Sequence, residues 1–214
     1  MQTLKYQLYY ERNLPHYQPP GATLFVTFRL AGSLPTHIIQ ELKEEAERVE
    51  FEISKITDKQ EQNRKRYDEQ RRYFGKFDAF LDQADIGPLW LKDEEIAAQV
   101  KHSLHFLENQ KYSLDAYTIM SNHAHVVFKP LPENNEKYFG VSEIMHSLKR
   151  HTAREANKIL CREGPFWQPE SHDHVVRDEA EWKRIIRYII YNPVKAGLVK
   201  TWQEWPWTYC RYNV

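Results

Sequence analysis

The sequence predicts an α+β fold in which an antiparallel sheet carries the helices. Two β-like runs, 111–120 and 123–129, are joined only by Ser121-Asn122, which predicts a hairpin and therefore antiparallel pairing. Residues 23–30 (TLFVTFRL) are rich in β-branched and aromatic residues and lie between Pro-Gly and Gly-Ser, as expected of a strand. Residues 93–107, which lie between the strand at 23–30 and the hairpin, have apolar positions at helical spacing and are predicted to form a helix.

After the first strand, Pro35 opens a predicted helix that starts near His37. The chain that follows is highly charged and has few candidate core residues, so we expect a helical insertion at about 52–90 that leaves the main domain. We treat 1–214 as one domain with this insertion, because its length suffices for a single sizeable core.

The second half of the chain contains two more predicted helices. Ser142 is a candidate N-cap for the first of them, and Asp178 caps a second that runs from Glu179 to about Asn192. Residues 172–177 alternate like a short strand. The aromatic tail at about 198–214 is interrupted by proline, and we expect it to pack back over the domain.

The charge of the chain is balanced overall but uneven along its length. Lys plus Arg and Asp plus Glu both number 30, and this zero net charge argues against a general nucleic-acid binder. Residues 146–214, however, hold 12 Lys and Arg against 8 Asp and Glu. Because attraction to phosphate depends on the local field, this basic C-terminal third is compatible with a specific DNA contact.

The cysteines and the hydropathy pattern bear on the location of the protein. Cys161 and Cys210 lack the spacing of a zinc motif, and no signal-peptide pattern or apolar run of membrane-spanning length is present. The sequence therefore predicts reduced thiols, a cytoplasmic protein and no membrane partner.

The segment TIMSNHAHVVFKP places two imidazoles one residue apart in a predicted strand. Since side chains alternate along a strand, His123 and His125 point to one face, and the apolar residues Ala124, Val126 and Phe128 point to the other. Imidazole is the commonest metal ligand and a general base near neutral pH. The alternative is two polar residues on a solvated sheet face.

The helix before Asn192-Pro193 carries a second polar pair. Its apolar stripe is flanked by Tyr188 and Asn192, which are four residues apart and therefore lie one above the other on the helix surface. A tyrosine and a carboxamide at this edge could meet the two imidazoles of the sheet. The alternative is ordinary amphipathic packing of a tyrosine on a helix flank.

Together these motifs resemble those of the HUH single-tyrosine transposases, and among them the REP-associated tyrosine transposases. The resemblance covers most of the chain and includes FVTFRL, MSNHAHVVF, SEIMHSLKRHTA, GPFWQ, HDHVVRD, RYIIYNPVKAGLV and the WPW of the tail. The family's usual histidine segment is M-P-N-H-V-H, whereas Ser121 and Ala124 replace the proline and the valine here. Neither position supplies chemistry. The charged stretch around 55–85 is a longer excursion than the minimal family domain needs.

The resemblance implies roles for four residues. His123, His125 and Asn192 match the metal ligands of the family, and Tyr188 matches its nucleophile. The implied cofactor is Mg²⁺ or Mn²⁺. The implied reaction is cleavage and rejoining of single-stranded or hairpin DNA, with REP-like repeats as substrate, through a 5′-phosphotyrosine.

Further residues are expected to contact the DNA. The predicted DNA-binding residues are Lys149, Arg150, Arg154, Trp167, Gln168, Arg177 and Lys195. Trp167 is as compatible with core packing, and the basic residues could simply solvate helices. His172 and His174 form a second H-x-H, which we expect near the DNA or the active site rather than as a second metal site.

The fold that we expect is ferredoxin-like, with helices mainly on one face of the antiparallel sheet and a charged helical insertion. A monomer is favoured over a homodimer. Two other functions stay open: a catalytically silent regulator that binds hairpin DNA, and a metal-dependent hydrolytic nuclease that uses activated water. A zinc-stabilised structural protein is disfavoured, because only two histidines are close in sequence and no cysteine joins them.

Overall fold

The computed structural model describes residues 9–11, 15–17, 19–83, 87–134 and 137–213. The chain divides into two compact units, which are treated separately below. The larger one combines residues 1–31 with 89–214, and the smaller one consists of 32–88. Among the described residues, every helix is too short or too polar to span a bilayer.

The larger unit contains short strands, one main sheet and a set of helices. Its strands are β1 (Tyr9–Glu11), β2 (Pro15–Tyr17), β3 (Leu24–Arg29), β4 (Tyr112–Ile119), β5 (His123–Pro130), β6 (Pro132–Asn134), β7 (Lys137–Tyr138), β8 (His172–Val175) and β9 (Thr208–Cys210). Its helices are α3 (Glu94–Leu107), α4 (Val141–Ile159) and α5 (Glu179–Lys195), with 3₁₀ turns at Trp90–Lys92 and Trp202–Glu204. In the smaller unit, α1 (Thr36–Ser54) and α2 (Lys59–Gln83) follow one another.

The main sheet has five strands in the order β8-β3-β5-β4-β9, and every neighbouring pair is antiparallel. Along the chain its elements follow as β3-α3-β4 and then β5-α4-β8. Each of these units leaves one strand position open, which the other unit fills, as in a split β-α-β arrangement. The predicted ferredoxin-like α+β fold is therefore confirmed, with β9 added at the outer edge beside β4.

The two faces of this sheet have different roles. On one face the alternate residues of β3 and β5, such as Phe28, Val126 and Phe128, are buried against α3 and α4 in a single apolar core. The helix α5 lies on the opposite face, where it meets the histidines of β5. Of the α-helices described in this unit, α3 and α4 thus share one face, as predicted.

The helix ends are partly as the sequence predicts. Asp178 caps α5, because its carboxylate accepts from the backbone N–H of Glu181 at 2.8 Å. Ser142 is not a cap: Gly140 holds that position, and α4 begins at Val141, whose side chain is buried in the core. The helix α5 also continues past Pro193 to Lys195, so its predicted end near Asn192 is wrong.

The C-terminal segment is attached to both the sheet and α5. The pairing of β4 with β5 shifts register at Asp115, which marks a bulge there. The Asp115 carboxylate accepts from the Trp182 indole N–H of α5 at 2.8 Å and from the Tyr212 hydroxyl at 3.1 Å. The rings of Trp182 and Tyr212 pack edge to face at 4.9 Å between centroids. One buried carboxylate therefore joins β4, α5 and the tail.

The smaller unit is a charged helical hairpin. Basic residues of α2 pair with acidic residues of α1, for example Arg72 with Glu45 at 3.1 Å and Arg66 with Glu50. The predicted helical character of this charged region is confirmed. Its predicted limits of about 52–90 stay a prediction.

Candidate active site

The two histidines of the motif lie at the centre of the main sheet. They belong to β5, which has β3 on one side and β4 on the other. His123 is 1% exposed and His125 is fully buried. Both side chains point to the same face, and their Nε2 atoms are 3.0 Å apart. The rings meet at 72°, and their centroids are 4.6 Å apart.

Neighbouring residues hold the inner nitrogen of each ring. The Nδ1 atom of His125 lies 2.8 Å from the hydroxyl of Thr27, which is its register partner on β3. The Nδ1 atom of His123 donates to the carboxamide oxygen of Asn122 at 2.6 Å. A hydrogen bond at one imidazole nitrogen fixes the orientation of the ring and leaves the other nitrogen for a ligand. Thr27 and Asn122 thus fix both rings in the orientation that brings their Nε2 atoms together.

Burial keeps both imidazoles neutral. It lowers the pKa of His123 to about 3. Burial also lowers the pKa of His125 well below its ordinary value, and the neighbouring His123 and the positive charge of Lys195 contribute in the same direction. A neutral imidazole has the lone pair that a metal ion requires, so this environment suits ligands rather than proton carriers.

The helix α5 brings the predicted tyrosine and carboxamide to the same point. Asn192 is 1% exposed, and its Nδ2 atom lies 3.4 Å from Nε2 of His125. The same Nδ2 donates to the Tyr188 hydroxyl at 3.3 Å. The Tyr188 ring packs edge to face against His125, with centroids 5.6 Å apart. Lys195 follows Asn192 by three residues and therefore lies on the same helix face.

The donor set fits a divalent metal ion. Among the described residues, the Asn192 Oδ1 atom is buried without a hydrogen-bond partner, which is costly unless a ligand satisfies it. The Nε2 atoms of His123 and His125, which are 3.0 Å apart, would supply two imidazole donors at one place. An N,N,O set that leaves positions for water suits Mn²⁺, and Mg²⁺ through its oxygen and water ligands.

Four of the predicted DNA-binding residues come together beside α4, but the side chains of two of them already form hydrogen bonds within the protein. Trp167 is 5% exposed, and its indole N–H donates to the Thr152 hydroxyl at 2.8 Å. Burial therefore supports the core-packing alternative for Trp167 and removes its ring from base stacking in this conformation. The Lys149 ammonium donates to the backbone carbonyls of residues 168, 169 and 170, so it anchors that loop. Gln168 is half-buried and Arg150 is exposed.

The remaining predicted DNA-binding residues are spread over the larger unit. Arg154 is exposed on α4 and pairs with Glu155 at 2.8 Å. Arg177 is exposed just before α5, where its backbone N–H donates to the buried Glu181 carboxylate. Lys195 is exposed at the end of α5 and is the one member of the set whose charge reaches His125. The structure therefore brings only Lys195 to the histidine site.

Sequence reasoning missed two residues of the site, Thr27 and Asn122. Thr27 is a polar residue inside the apolar run LFVTFRL, and this pattern alone could have marked it as facing something polar. Its partner follows only from the pairing register of β3 with β5, which the sequence does not reveal. Asn122 stands directly before His123 in the motif, but the sequence does not reveal that its carboxamide oxygen accepts a hydrogen bond from that ring.

Comparisons with known proteins bear on the whole arrangement. No protein-family model matches the chain. A Haemophilus influenzae protein assigned to the REP-associated tyrosine transposases is 29% identical over 107 residues, which cover 47% of this chain and 60% of that protein. The REP-associated tyrosine transposase of Escherichia coli K12 is 25% identical over 100 residues, which cover 47% and 55%. The matches thus span less than two thirds of either relative.

A solved structure shares the fold. It is a REP-associated tyrosine transposase bound to a REP hairpin, and it aligns with 92% of this chain and 82% of its own at a TM-score of 0.51 and 16% identity. The sequence matches and this shared fold agree with the motifs of the histidine strand and the tyrosine helix. The resemblance seen in the sequence is confirmed, and the chain is related to the REP-associated tyrosine transposases.

Proposed function

We propose that this protein cleaves and rejoins DNA strands in a metal-dependent, transposase-like reaction through a 5′-phosphotyrosine. The observation that carries the proposal is the meeting of Tyr188, Asn192 and His125. The Asn192 amide nitrogen lies within 3.4 Å of both the tyrosine hydroxyl and the imidazole Nε2. Relatives named as tyrosine transposases support the same conclusion.

The buried polar residues would hold the cofactor. His123, His125 and Asn192 would bind Mg²⁺ or Mn²⁺ through two Nε2 atoms and Oδ1. The bound ion would neutralise charge on the phosphodiester and orient it for in-line attack. Thr27 and Asn122 keep the two rings aimed through their bonds to Nδ1. Lys195, whose charge already reaches His125, would add positive field for the incoming phosphate.

Tyr188 would be the nucleophile. Its oxygen would form a bond to phosphorus while the bond from phosphorus to the 3′ oxygen breaks, which leaves a free 3′-OH and a 5′-phosphotyrosine. A phenol has a pKa of about 10, far below that of an alcohol, so it is easier to ionise and also a workable leaving group. No water is consumed, so the reverse reaction with a new 3′-OH can rejoin the strand.

The proposed substrate is DNA that is single-stranded at the cleaved bond and carries a hairpin. In a duplex, base pairing and stacking fix the path of the backbone, whereas a splayed strand can bend so that its phosphate lies on a sheet-and-helix surface. The related solved structure contains a bound REP hairpin, which supports a hairpin partner for this chain as well. We expect the protein to act as a monomer.

A covalent-adduct assay tests the proposal. The protein is incubated with labelled single-stranded DNA that carries the hairpin repeats flanking its gene, in Mg²⁺, Mn²⁺ or EDTA, and is then run on a denaturing gel. Tyr188→Phe is compared with Tyr191→Phe, because Tyr191 lies on the same helix but is 49% exposed, whereas the Tyr188 ring packs against His125. We expect a metal-dependent adduct in the wild type and in Tyr191→Phe, and none in Tyr188→Phe.

The other outcomes identify the competing functions. Cleavage that persists in Tyr188→Phe without an adduct would indicate a metal-dependent hydrolytic nuclease. Binding of the hairpin on a native gel with no cleavage in any metal would indicate a catalytically silent regulator. An adduct that is unchanged in Tyr188→Phe would remove the tyrosine from the mechanism.

A further inference from the structure

The basic residues in the first half of α2 differ in whether a carboxylate neutralises them. Residues 64–72 hold five arginines and lysines. Three of these form ion pairs with glutamates: Arg66 and Arg72 with residues of α1, and Lys65 with a residue of α2 itself. Arg64 and Arg71 are exposed, and neither forms an ion pair with another residue that the structure describes. The helical hairpin therefore uses three of the five charges for its own contacts and leaves two.

The two remaining arginines lie on the side of α2 that is turned away from α1. The side toward α1 is defined by Arg66 and Arg72, and by Gln62, whose amide donates to a backbone carbonyl of α1 at 3.3 Å. At 3.6 residues per turn, Arg64 and Arg71 are about 150° around the helix from the mean direction of those contacts. The ion pairs that hold α2 against α1 thus direct Arg64 and Arg71 outward.

Polar residues extend these two arginines into a continuous row on the surface of α2. We name this row the polar stripe, and it consists of Gln60, Asn63, Arg64, Tyr67, Gln70 and Arg71. The spacing of its members places them within about 120° of helix surface. All of them are exposed except Tyr67, which is half-buried, and the Arg71 guanidinium lies over the Tyr67 ring at 5.8 Å from its centroid.

The polar stripe carries positive charge and no carboxylate. The acidic residues of the same stretch, Glu61, Asp68 and Glu69, lie outside it in helix phase, with Asp68 at its border beside Arg64. Arginine, asparagine, glutamine and tyrosine are side chains that commonly donate to the phosphate oxygens of DNA. A protein partner would instead require apolar anchors that become buried at the centre of the interface. The composition of the stripe therefore favours a phosphate backbone.

The shape of the polar stripe indicates which form of DNA it fits. From Gln60 to Arg71 the helix rises about 16 Å, and one strand of a duplex places a phosphate every 3.4 Å or so along its axis. A short duplex is straight and stiff, so it can meet a straight row of donors without first being ordered. The contacts between α1 and α2 likewise fix the row before DNA binds.

We propose that the polar stripe binds the phosphate backbone of the duplex stem of the hairpin substrate. Arg64 and Arg71, about 10 Å apart along the helix, would each contact one phosphate, and the amides and the Tyr67 hydroxyl would donate to oxygens beside them. This inference rests on the proposed function, because it takes hairpin DNA as the substrate. It gives the charged helical hairpin a role in holding the stem, separate from the residues that act on the cleaved bond.

The salt dependence of binding tests these contacts without requiring cleavage. The Tyr188→Phe protein is titrated by fluorescence anisotropy against a labelled stem-loop, and against an unpaired strand of equal length, at several salt concentrations. Each phosphate contact that is lost should reduce the slope of log affinity against log salt by about 1. We expect Arg64→Ala and Arg71→Ala each to reduce the slope for the stem-loop by about 1, and the double variant by about 2. The slope for the unpaired strand should not change.

Arg48 of α1 provides the matched control. It is also exposed and forms no ion pair with another described residue, so Arg48→Ala removes the same charge from the same helical hairpin. We expect its slope for the stem-loop to equal that of the unmodified background. All these variants should keep their helix content by circular dichroism, because alanine is the strongest helix former. A second stem-loop with an unrelated stem sequence should give the same slopes, since the contacts are to the backbone.

Several results would overturn the stem contact. Unchanged slopes in the double variant would remove the two arginines from the DNA interface. Equal slope losses in Arg48→Ala and Arg64→Ala would indicate general attraction to the charge of this unit, and equal losses on the unpaired strand would exclude a contact that depends on the duplex. Loss of the wild-type adduct with retained slope differences would reject the tyrosine chemistry and keep the stem contact. A normal adduct with unchanged slopes would do the reverse.

Discussion

Two H-x-H pairs lie in the same sheet, and their comparison shows that the spacing of the histidines alone does not determine their surroundings or their partners. His123 and His125 are on the central strand β5 and are almost completely buried. His172 and His174 are on the edge strand β8 and are half-buried. Thr27 of β3 stands between the pairs, because it is the register partner of both His125 and His172. The two pairs therefore face the same side of the sheet, with β3 between their strands.

The two pairs differ in the groups that lie close to their Nε2 atoms. At the first pair the Nε2 atoms face each other, and Asn192 near the end of α5 approaches them. At the second pair, Nε2 of His174 is 3.2 Å from the carboxylate of Glu181 at the start of α5. One helix thus serves both pairs, with a carboxamide at one end and a carboxylate at the other. Contacts with other elements, rather than the motif, distinguish the candidate metal site from a histidine that is hydrogen-bonded to a carboxylate.

Removing one histidine from each pair should give the largest contrast. We expect His125→Ala to weaken Mn²⁺ binding by more than about 100-fold, because it deletes a ligand, whereas loss of an outer-shell partner typically costs 10–100-fold. His174→Ala should change it less than about threefold. Isothermal titration calorimetry with Mn²⁺ measures both affinities. Equal losses in the two variants would show that the pairs act as one site.

The hydroxyl beside His125 should have the next largest effect. Thr27→Val removes the hydrogen bond to Nδ1 of His125, and we expect Mn²⁺ affinity to fall about 10- to 100-fold. Thr118 provides the matched control, because it is the register partner of His125 on β4 but bonds to the Thr208 hydroxyl instead. Thr118→Val should leave Mn²⁺ affinity nearly unchanged, and Thr27→Ser should restore it. A similar loss in both valine variants would point to packing instead.

At the second pair we expect a loss of stability without a loss of metal binding. The Glu181 carboxylate is 4% exposed and accepts from His174 and from the backbone N–H of Arg177. Glu181→Ala should lower the free energy of unfolding by about 2 kcal/mol, because hydrogen bonds to a buried charged group are lost. Urea unfolding followed by circular dichroism measures it.

The same helix offers a control for that change. Glu179→Ala removes an exposed carboxylate that pairs with Lys183, and its urea midpoint should be nearly that of the wild type. Neither glutamate variant should alter Mn²⁺ affinity. A fall in Mn²⁺ affinity in Glu181→Ala alone would mean that the start of α5 sets the position of Asn192.

The smallest effect should come from the indole that anchors the start of α5. Trp182→Phe keeps an aromatic ring but removes the hydrogen bond to Asp115, which should cost about 1 kcal/mol of unfolding free energy. Mn²⁺ affinity should stay within about twofold, since Asn192 lies almost three turns further along the helix. A larger effect on Mn²⁺ than on stability would show that the whole helix shifts as a rigid element.

Much of the fold could be predicted because its signals are local. The β4–β5 hairpin, the Asp178 cap and the tyrosine-to-asparagine spacing depend on residues close in sequence. The burial of Trp167 and the three carbonyls around Lys149 depend on where the loop after α4 returns to the sheet, so no local pattern reveals them. The same holds for Thr27, whose role requires the pairing of β3 with β5.

The edge strands of the main sheet affect the tendency of the protein to aggregate at high concentration. The outermost strands β8 and β9 are four and three residues long, whereas β3, β4 and β5 have six, eight and eight. Short outer strands offer few unpaired backbone groups on which another chain could add a strand. The segment that carries Tyr212 includes β9, which pairs with Ala116, Tyr117 and Thr118 and so covers part of the outer edge of β4. Loosening it should favour insoluble assemblies before it unfolds the core.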